Sequence, residues 1–403
     1  MGKSTNRRLF FQRAALAAAI AGGPRLDAAR PAQEESRKEP LRIGFIGLGR
    51  RGFELFRAAR EIPGVVVNAV CDFWGDKLER VRALGVEAFY TWLPGKVLMN
   101  TEIIVVAVPN HLHKPVCLTG LSYKRDLYLE TPFTHQIEDA GEIAAALKDT
   151  GAILQAGNQQ FSSPINSKVR ELISSGALGQ LTFIRAEAHS NTPVQAGYED
   201  IPKNTDMEEV RWNWFLDALP SRPYDPRRFF QWKLYPDYCG GPATQEAVCL
   251  VAAIHAVTGA TVPARVTAHG SILRWKEHRE VPDHVSAVLE YPEGFVVSLT
   301  VTYNNDLPSP PLVFMGTEGS LEYYPNRCRL IPRSGDPEEF QAGGDATRLH
   351  LEAFLASVRS RRPPATDLIV GVQVANVGHM INLACRTGRS VGWDREAGKL
   401  VQT

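Results

Sequence analysis

Cysteine is scarce in this chain. There are six in 403 residues, at 71, 117, 239, 249, 328 and 385, and no two form a CxxC pair. A scaffold built on disulfides is excluded, and so is a thiolate zinc motif or a thioredoxin-like pair. An excess of either charge is missing too. The 45 Lys and Arg against 44 Asp and Glu leave a formal +1. With no basic patch and no helix-turn-helix pattern, a nucleic-acid partner is not expected. No uninterrupted run of about 18 apolar residues occurs, so no membrane span is expected. Internal repeats and low-complexity tracts are absent. What remains is an ordinary globular composition, 44% hydrophobic, with room for two or three domains of about 150 residues.

The first forty residues differ from the rest. Arg7 and Arg8 precede Leu9-Phe10-Phe11, then an alanine-rich stretch from Ala14 to Gly23 and Pro24. A basic start, a modest apolar run and small residues describe an export signal, and the paired arginines point to the twin-arginine route. A periplasmic or otherwise exported protein is therefore expected. The alternative is a basic arm on a cytoplasmic one. Residues 1–40 carry eight basic and four acidic side chains, so their removal leaves about −3. Residues 31–40 read as a polar tether into the fold.

A short apolar run, Leu41–Ile46, leads into Gly47-Leu48-Gly49-Arg50-Arg51-Gly52, and Phe53, Phe56 and Ala59 follow at helical spacing. This is GxGxxG in the context strand, turn, helix. The first glycine permits the turn, the second admits a pyrophosphate, and the third lets helix and strand pack closely. Free N–H groups at the helix start complete the anion site. A second apolar run, Val65–Cys71, ends at Asp72, 20 residues after Gly52. An acid there holds the ribose 2′-hydroxyl and repels a 2′-phosphate, which favours NAD over NADP. Arg50 and Arg51 keep NADP open.

Apolar strands and helical segments then alternate to about residue 156, which predicts a doubly wound parallel sheet over 41–160. Ligand belongs beyond the carboxyl ends of its strands. Asp72, Pro109-Asn110, Glu130-Thr131 and Asn158-Gln159 all fall there. From about residue 177 the strands alternate apolar and polar and look antiparallel, at 181–188, 265–270, 285–291 and 295–303. Gly294 marks a hairpin turn, and Gly259 reads as the C-cap of a helix from about Thr244 to Thr258. Helices are also expected over 350–359 and 368–387. The fold class is α/β: a doubly wound parallel sheet followed, over 161–403, by an α+β domain with an open, mostly antiparallel sheet. The stretch 190–243 is rich in Pro, Trp, Tyr and Arg, a composition suited to recognition.

Taken in order, GFIGLGRRG (44–52), AVPNHLH (107–113), LYLETP (127–132), SSGALGQLTFIRA (174–186), WNWFLDALPSRPYDPRRF (212–229) and FLASVRSRRPP (354–364) resemble the Gfo/Idh/MocA oxidoreductases over about 41–395. The exported branch with a twin-arginine signal is similar. The resemblance implies a Rossmann domain, tightly held NAD(P), a sugar, polyol or cyclitol substrate, and homodimers or homotetramers. It places Gly47, Leu48, Gly49, Arg50, Gly52, Asp72, Pro109, Asn110, His113, Glu130 and Gln159 at the cofactor.

The chemical half departs from the family. Its Glu-Lys-Pro appears as Glu130-Thr131-Pro132, and threonine neither carries charge nor serves as an acid or base near neutrality. On the helix before Gly259, the family's Asp, His and Asp positions, counted back from that glycine, are Gln245, Cys249 and Ala252. These cannot build a three-ligand metal site, so no metal is expected. Cys249 is either a thiolate base or inert packing. Gln159-Gln160-Phe161 replaces Gln-Arg-Arg. The candidate reacting groups are therefore Thr131, His113, Cys249 and Gln245. His113, with His111 beside it, either handles a proton or fixes the loop. His189 is a further candidate, and His255 reads as a core residue. Trp214, Arg222, Tyr224 and Tyr238 are candidates for substrate contact.

Two readings compete: an NAD(P)-dependent oxidoreductase on a sugar, polyol or glycoside that recycles tightly bound NAD, and a catalytically degenerate NAD- or sugar-binding protein on the same fold.

Overall fold

The computed structural model describes residues 39–193, 201–203, 205 and 209–402. The expected export signal lies outside the described residues.

In β1 (Leu41–Ile46) every residue but Arg42 is buried. This is the burial of a parallel strand covered on both faces. The chain turns at Gly47 into α1 (Arg50–Arg60) and continues with β2 (Val65–Cys71), α2 (Gly75–Arg82), β3 (Phe89–Thr91), α3 (Pro94–Asn100), β4 (Ile103–Val106), α4 (His113–Ser122), β5 (Asp126–Glu130), α5 (Asp139–Lys148) and β6 (Leu154–Gly157). The strands form one parallel sheet in the order β3-β2-β1-β4-β5-β6. The order reverses between β1 and β4, which opens a crevice beyond Ile46 and Val106. The three small elements between Gly75 and Asn100 were not expected; they are too short for periodicity to show.

After α6 (Asn166–Ser174) comes β7 (Leu181–His189), then α7 (Trp212–Leu216), α8 (Pro226–Phe230) and the long α9 (Pro242–Thr258). Strands β8 (Arg265–Ser271), β9 (His284–Tyr291), β10 (Phe295–Thr302), β11 (Leu312–Gly316), β12 (Gly319–Tyr324), β13 (Arg327–Pro332) and β14 (Glu338–Gln341) precede α10 (Ala346–Ser360), α11 (Leu368–Thr387), β15 (Val391–Asp394) and β16 (Lys399–Gln402). All ten strands from β7 onward join one sheet. Its pairings are antiparallel with one exception: β7 lies parallel to β10, with His189 opposite Thr302. The expectation of antiparallel strands fails at that pair because α9 intervenes in the chain, and such a crossover returns a strand in the same direction. The hairpins from β11 to β14 were not foreseen, since charges such as Arg327 and Arg329 interrupt their apolar residues.

Helices α9 and α11 cover the buried face of this sheet and join its core to that of the first. Gly259 caps α9 in the left-handed region, φ 74°, as its position suggested. An 18-residue window of α11 has a mean hydropathy of 1.5, and 83% of that window is buried in the fold. That apolarity serves the core. Helix α10 packs the other way: Leu351, Phe354, Leu355 and Val358 share a cluster with Leu55 and Phe56 of α1. A stretch late in the chain thus completes the core beneath the first sheet.

Candidate active site in the cleft between the sheets

A cleft of about 950 Å³ opens at the switch point and is walled on its far side by β7, α9 and the segment after β10. Its first-sheet end is built on the glycine turn. Gly47 has φ 92°, and a Cβ on it would lie 2.3 Å from the Ala107 carbonyl oxygen. A Cβ on Gly52 would lie 2.0 Å from the Gly47 oxygen. Gly49 is different, with no atom within 4 Å of its Cβ position. It caps α1 with no side-chain acceptor, so the helix's first N–H groups face open space fit for phosphate. Asp72 is held by two backbone donors, Leu48 N at 2.7 Å and Trp74 N at 3.0 Å. Its carboxylate lines the cleft, at the position that holds a ribose hydroxyl in this fold.

Neither arginine of the turn is committed to a 2′-phosphate. Arg51 reaches the other way. Its Nε donates to Glu130 Oε1 at 2.7 Å and its Nη1 to Thr347 at 2.9 Å. Arg50 pairs with Glu54 at 3.3 Å. Pro109, Asn110 and Gln159 line the same cleft, so the turn, the acid and the loops after β4 and β6 form one dinucleotide cradle. Leu48 and Gly52 stand buried behind it.

His113 is not a proton-transfer group. Its Nδ1 is 2.8 Å from the Pro132 carbonyl and its Nε2 2.9 Å from that of Val108. Burial lowers its pKa, and the neutral ring has one N–H, which donates to one or other of these carbonyls and ties the two loops together. His111 is likewise structural. It contacts the Phe215 carbonyl at 2.7 Å and packs on Phe215 and Tyr238, and burial brings it down to about 4. His255 lies in the core beside the Tyr291 hydroxyl.

Thr131, Gln245 and Cys249 do meet at the cleft. Thr131 N donates to Glu130 Oε2 at 3.0 Å, and Gln245 Nε2 to Asn110 Oδ1 at 3.4 Å. The thiolate role fails: burial pushes the Cys249 thiol up to about 12, and its sulfur donates to the Gln245 carbonyl. Ala252 is fully buried. Among the described residues no group of three or more His, Cys, Asp or Glu stands ready for a metal.

A carboxyl lies one residue along from Gln245. Glu246 lines the cleft, accepts a hydrogen bond from the Tyr303 hydroxyl, and is pushed up to about 7 by burial, against the opposing pull of Tyr303 and Lys233. Counting back from Gly259 overlooked it. The available signal was that Glu246 is the one acidic residue in the helix PATQEAVCLVAAIHAVT.

The four expected substrate contacts do not line the cleft. Trp214 is half exposed on the outer surface. Arg222 pairs with Asp237 at 3.0 Å. Tyr224 packs edge-on against Trp212, and Tyr238 is fully buried against Phe215. The aromatic segment has built a small core of its own, and among its described rings only Phe215, Phe229, Phe230 and Trp232 reach the cleft. Aromatic richness alone does not separate packing from recognition.

A dinucleotide cradle sharing one cleft with a partly buried carboxyl is the arrangement of an NAD-dependent oxidoreductase. Sequence comparison agrees. The NAD-binding Rossmann profile of the Gfo/Idh/MocA oxidoreductase family matches residues 41–158, and the family's C-terminal-domain profile matches 206–322. The chain belongs to the Gfo/Idh/MocA family. It is 24% identical over 348 residues to a glycosyl hydrolase family 109 protein of Saccharopolyspora erythraea, covering 77% of this chain and 70% of that one. Other curated relatives are matched over 55% and 65% of their length. The aldose–aldose oxidoreductase of Caulobacter crescentus shares the fold with a TM-score of 0.70 at 19% identity, over 88% of this chain and 100% of that one. Levoglucosan dehydrogenase with NADH and levoglucosan does so at 0.69 and 17%, over 88% and 99%.

Proposed function

We propose that the protein transfers hydride between NAD and a hydroxyl-bearing carbon of a sugar, polyol or glycoside, with Glu246 as its acid/base. The observation that carries this reading is one cleft holding both the Gly47–Gly52 turn and the Glu246–Tyr303 pair. NAD, when bound, supplies the two-electron acceptor. Asp72 fixes the ribose, and the N-terminus of α1 takes the phosphates. Ionised Glu246 accepts the proton of the substrate hydroxyl as the carbon gives up its hydride. Tyr303 holds that carboxyl in place through its own O–H. In the reverse direction Glu246 returns the proton to the carbonyl oxygen. A pKa near the working pH suits both roles.

The reading includes tight binding and recycling of NAD. The Arg7-Arg8 signal supports twin-arginine export of a folded, loaded protein to a compartment poor in free NAD. Cofactor must then be regenerated within each cycle, by a second substrate or an internal oxidation–reduction such as glycoside cleavage. Association as a homodimer or homotetramer belongs to the same reading. Light scattering measures it, and cell fractionation of the wild type and an Arg7→Lys/Arg8→Lys variant measures export.

Thr131 and the protonated Cys249 favour a second reading, a catalytically silent NAD- or sugar-binding protein. Mass spectrometry of small molecules released on denaturation, from the full chain and from a chain starting near residue 40, comes first. Stoichiometric NAD(H) with turnover on a sugar supports the enzyme. Bound NAD(H) without turnover in either direction supports the silent binder. A protein that neither carries nor binds NAD(H) overturns both cofactor readings.

A further inference from the structure

The far wall of the cleft carries a carboxylate and an imidazole set close together. Glu187 and His189 are two apart at the carboxyl end of β7, so they point to the same side of the sheet. Both line the cleft. Their side chains are 21% and 11% exposed, and Glu187 Oε2 lies 3.8 Å from His189 Nε2. The Nδ1 of His189 sits 2.9 Å from Asn305 Oδ1. With Asn305 presenting its carbonyl oxygen, Nδ1 is the donor, and in the neutral ring Nε2 is an acceptor. That Nε2 is buried and has no hydrogen-bond partner. In that tautomer two acceptors face each other across a gap too wide for a direct bond, with Arg185 Nε 3.6 Å from the same Glu187 oxygen. A group that donates two hydrogens completes them, as does a pair of neighbouring donors.

The charges around this wall point the same way. Glu187, Glu246 and Asp306 line the cleft with Lys233, while its other described cations, Arg50, Arg51 and Lys77, stand on the helices of the first sheet. Nearby arginines are committed elsewhere. Arg228 is held by Asp237 and Glu280, Arg222 by Asp237, and Arg279 by the Pro282 carbonyl. Arg185 is engaged by Glu187 itself, Nε to Oε2 at 3.6 Å, so each of these described guanidinium groups already faces an acceptor. Phe229, Phe230 and Trp232 add an apolar wall on which a sugar ring can stack.

We propose that Glu187 and His189 form the specificity-determining subsite, which takes the adjacent hydroxyls of a neutral sugar or the ammonium of an amino sugar and rejects sugar acids and sugar phosphates. The proposal deepens the oxidoreductase reading and rests on it for the placement of the substrate. Glu187 and His189 act here as recognition groups, with the proton step left to Glu246. The shared chemistry of the two accepted ligands is a cluster of donors. The acidic wall adds an attraction for the cationic one.

The test uses the full chain loaded with NADH and four probes on one scaffold: glucose, glucosamine, glucuronate and glucose 6-phosphate. Calorimetric titration measures equilibrium binding and needs no turnover. Glucose or glucosamine is expected to bind at least tenfold more tightly than both anions. A preference for glucosamine identifies the ammonium as the ligand, and a preference for glucose identifies the hydroxyl pair. Glu187→Gln and His189→Phe are expected to weaken the preferred probe about tenfold, about 1.4 kcal/mol, and to leave the NADH affinity unchanged. Glu187→Lys is expected to shift the preference toward the anions. The NADH titration also reports that each variant is folded. Equal or tighter binding of the anions by the wild type, no binding of any probe, or variants that bind as the wild type overturns the subsite. Sugars bound in the expected order by protein that takes up no NADH uphold the subsite and overturn the oxidoreductase reading.

Discussion

The Tyr303 hydroxyl donates to the Glu246 carboxylate, which joins the segment after β10 to the helix that backs the second sheet. Burial holds that carboxyl at about 7, where it can both give and take a proton.

Glu246→Gln is expected to lower kcat by two to three orders of magnitude, within the range for losing a positioned acid or base. NADH affinity stays as in the wild type. In the wild type, sugar oxidation needs ionised Glu246, so kcat rises with pH through a midpoint near 7, and the reductive direction falls over the same range. Steady-state rates in both directions check this. A Gln variant with an unchanged rate and pH profile removes Glu246 from the mechanism.

The same carboxyl makes a stability prediction. Its pKa is raised in the folded state, so the folded protein holds a proton that the unfolded chain has released. Its contribution is fully present below the ordinary carboxyl value of 4.5 and is lost as pH rises through about 7. Glu246→Gln removes this slope. Denaturant titrations across that interval are expected to show wild-type stability falling relative to the variant.

Two glycines of one turn are expected to fail differently. Gly52→Ala places a Cβ 2.0 Å from the Gly47 oxygen, so the turn must shift and the melting temperature falls. Gly49→Ala meets no protein atom within 4 Å, so the melting temperature holds while NADH binding weakens, because the methyl enters the phosphate space. Thermal melts beside NADH titrations separate the two effects.

Asp72→Asn is expected to weaken NAD by about 10- to 100-fold, as for loss of a hydrogen bond to a charged group worth about 1.5–3 kcal/mol. The NAD-over-NADP preference narrows with it, since the repulsion of a 2′-phosphate is gone. Affinities for both cofactors measure it.

Two cleft residues are expected to be kinetically quiet. Cys249→Ser leaves kcat near wild type, and the thiol resists iodoacetamide at pH 8, because burial holds it protonated to about 12. His113→Phe removes the N–H donated to the Pro132 or Val108 carbonyl and is expected to cost about 1–3 kcal/mol of stability. It alters no ionisation seen in the kcat profile. A shifted pH profile in that variant restores His113 as a proton carrier.

What the linear order of residues determined is the cofactor end. The GxGxxG turn, Asp72 and the buried parallel strands are local patterns, because each glycine answers to atoms a few residues away or to the strand beside it. Residues far apart in the chain met only in three dimensions. Gln245, Glu246 and Cys249 are neighbours on one helix, and sequence assigned chemistry to two of them and missed the third. Tertiary burial separated them, keeping the thiol protonated and bringing the acid near neutrality. It also fixed His113 between two carbonyls, folded the aromatic segment into a core of its own, and set Tyr303 against Glu246 across 57 residues. Ionisation depends on what surrounds a group, and those surroundings come from packing across the whole chain.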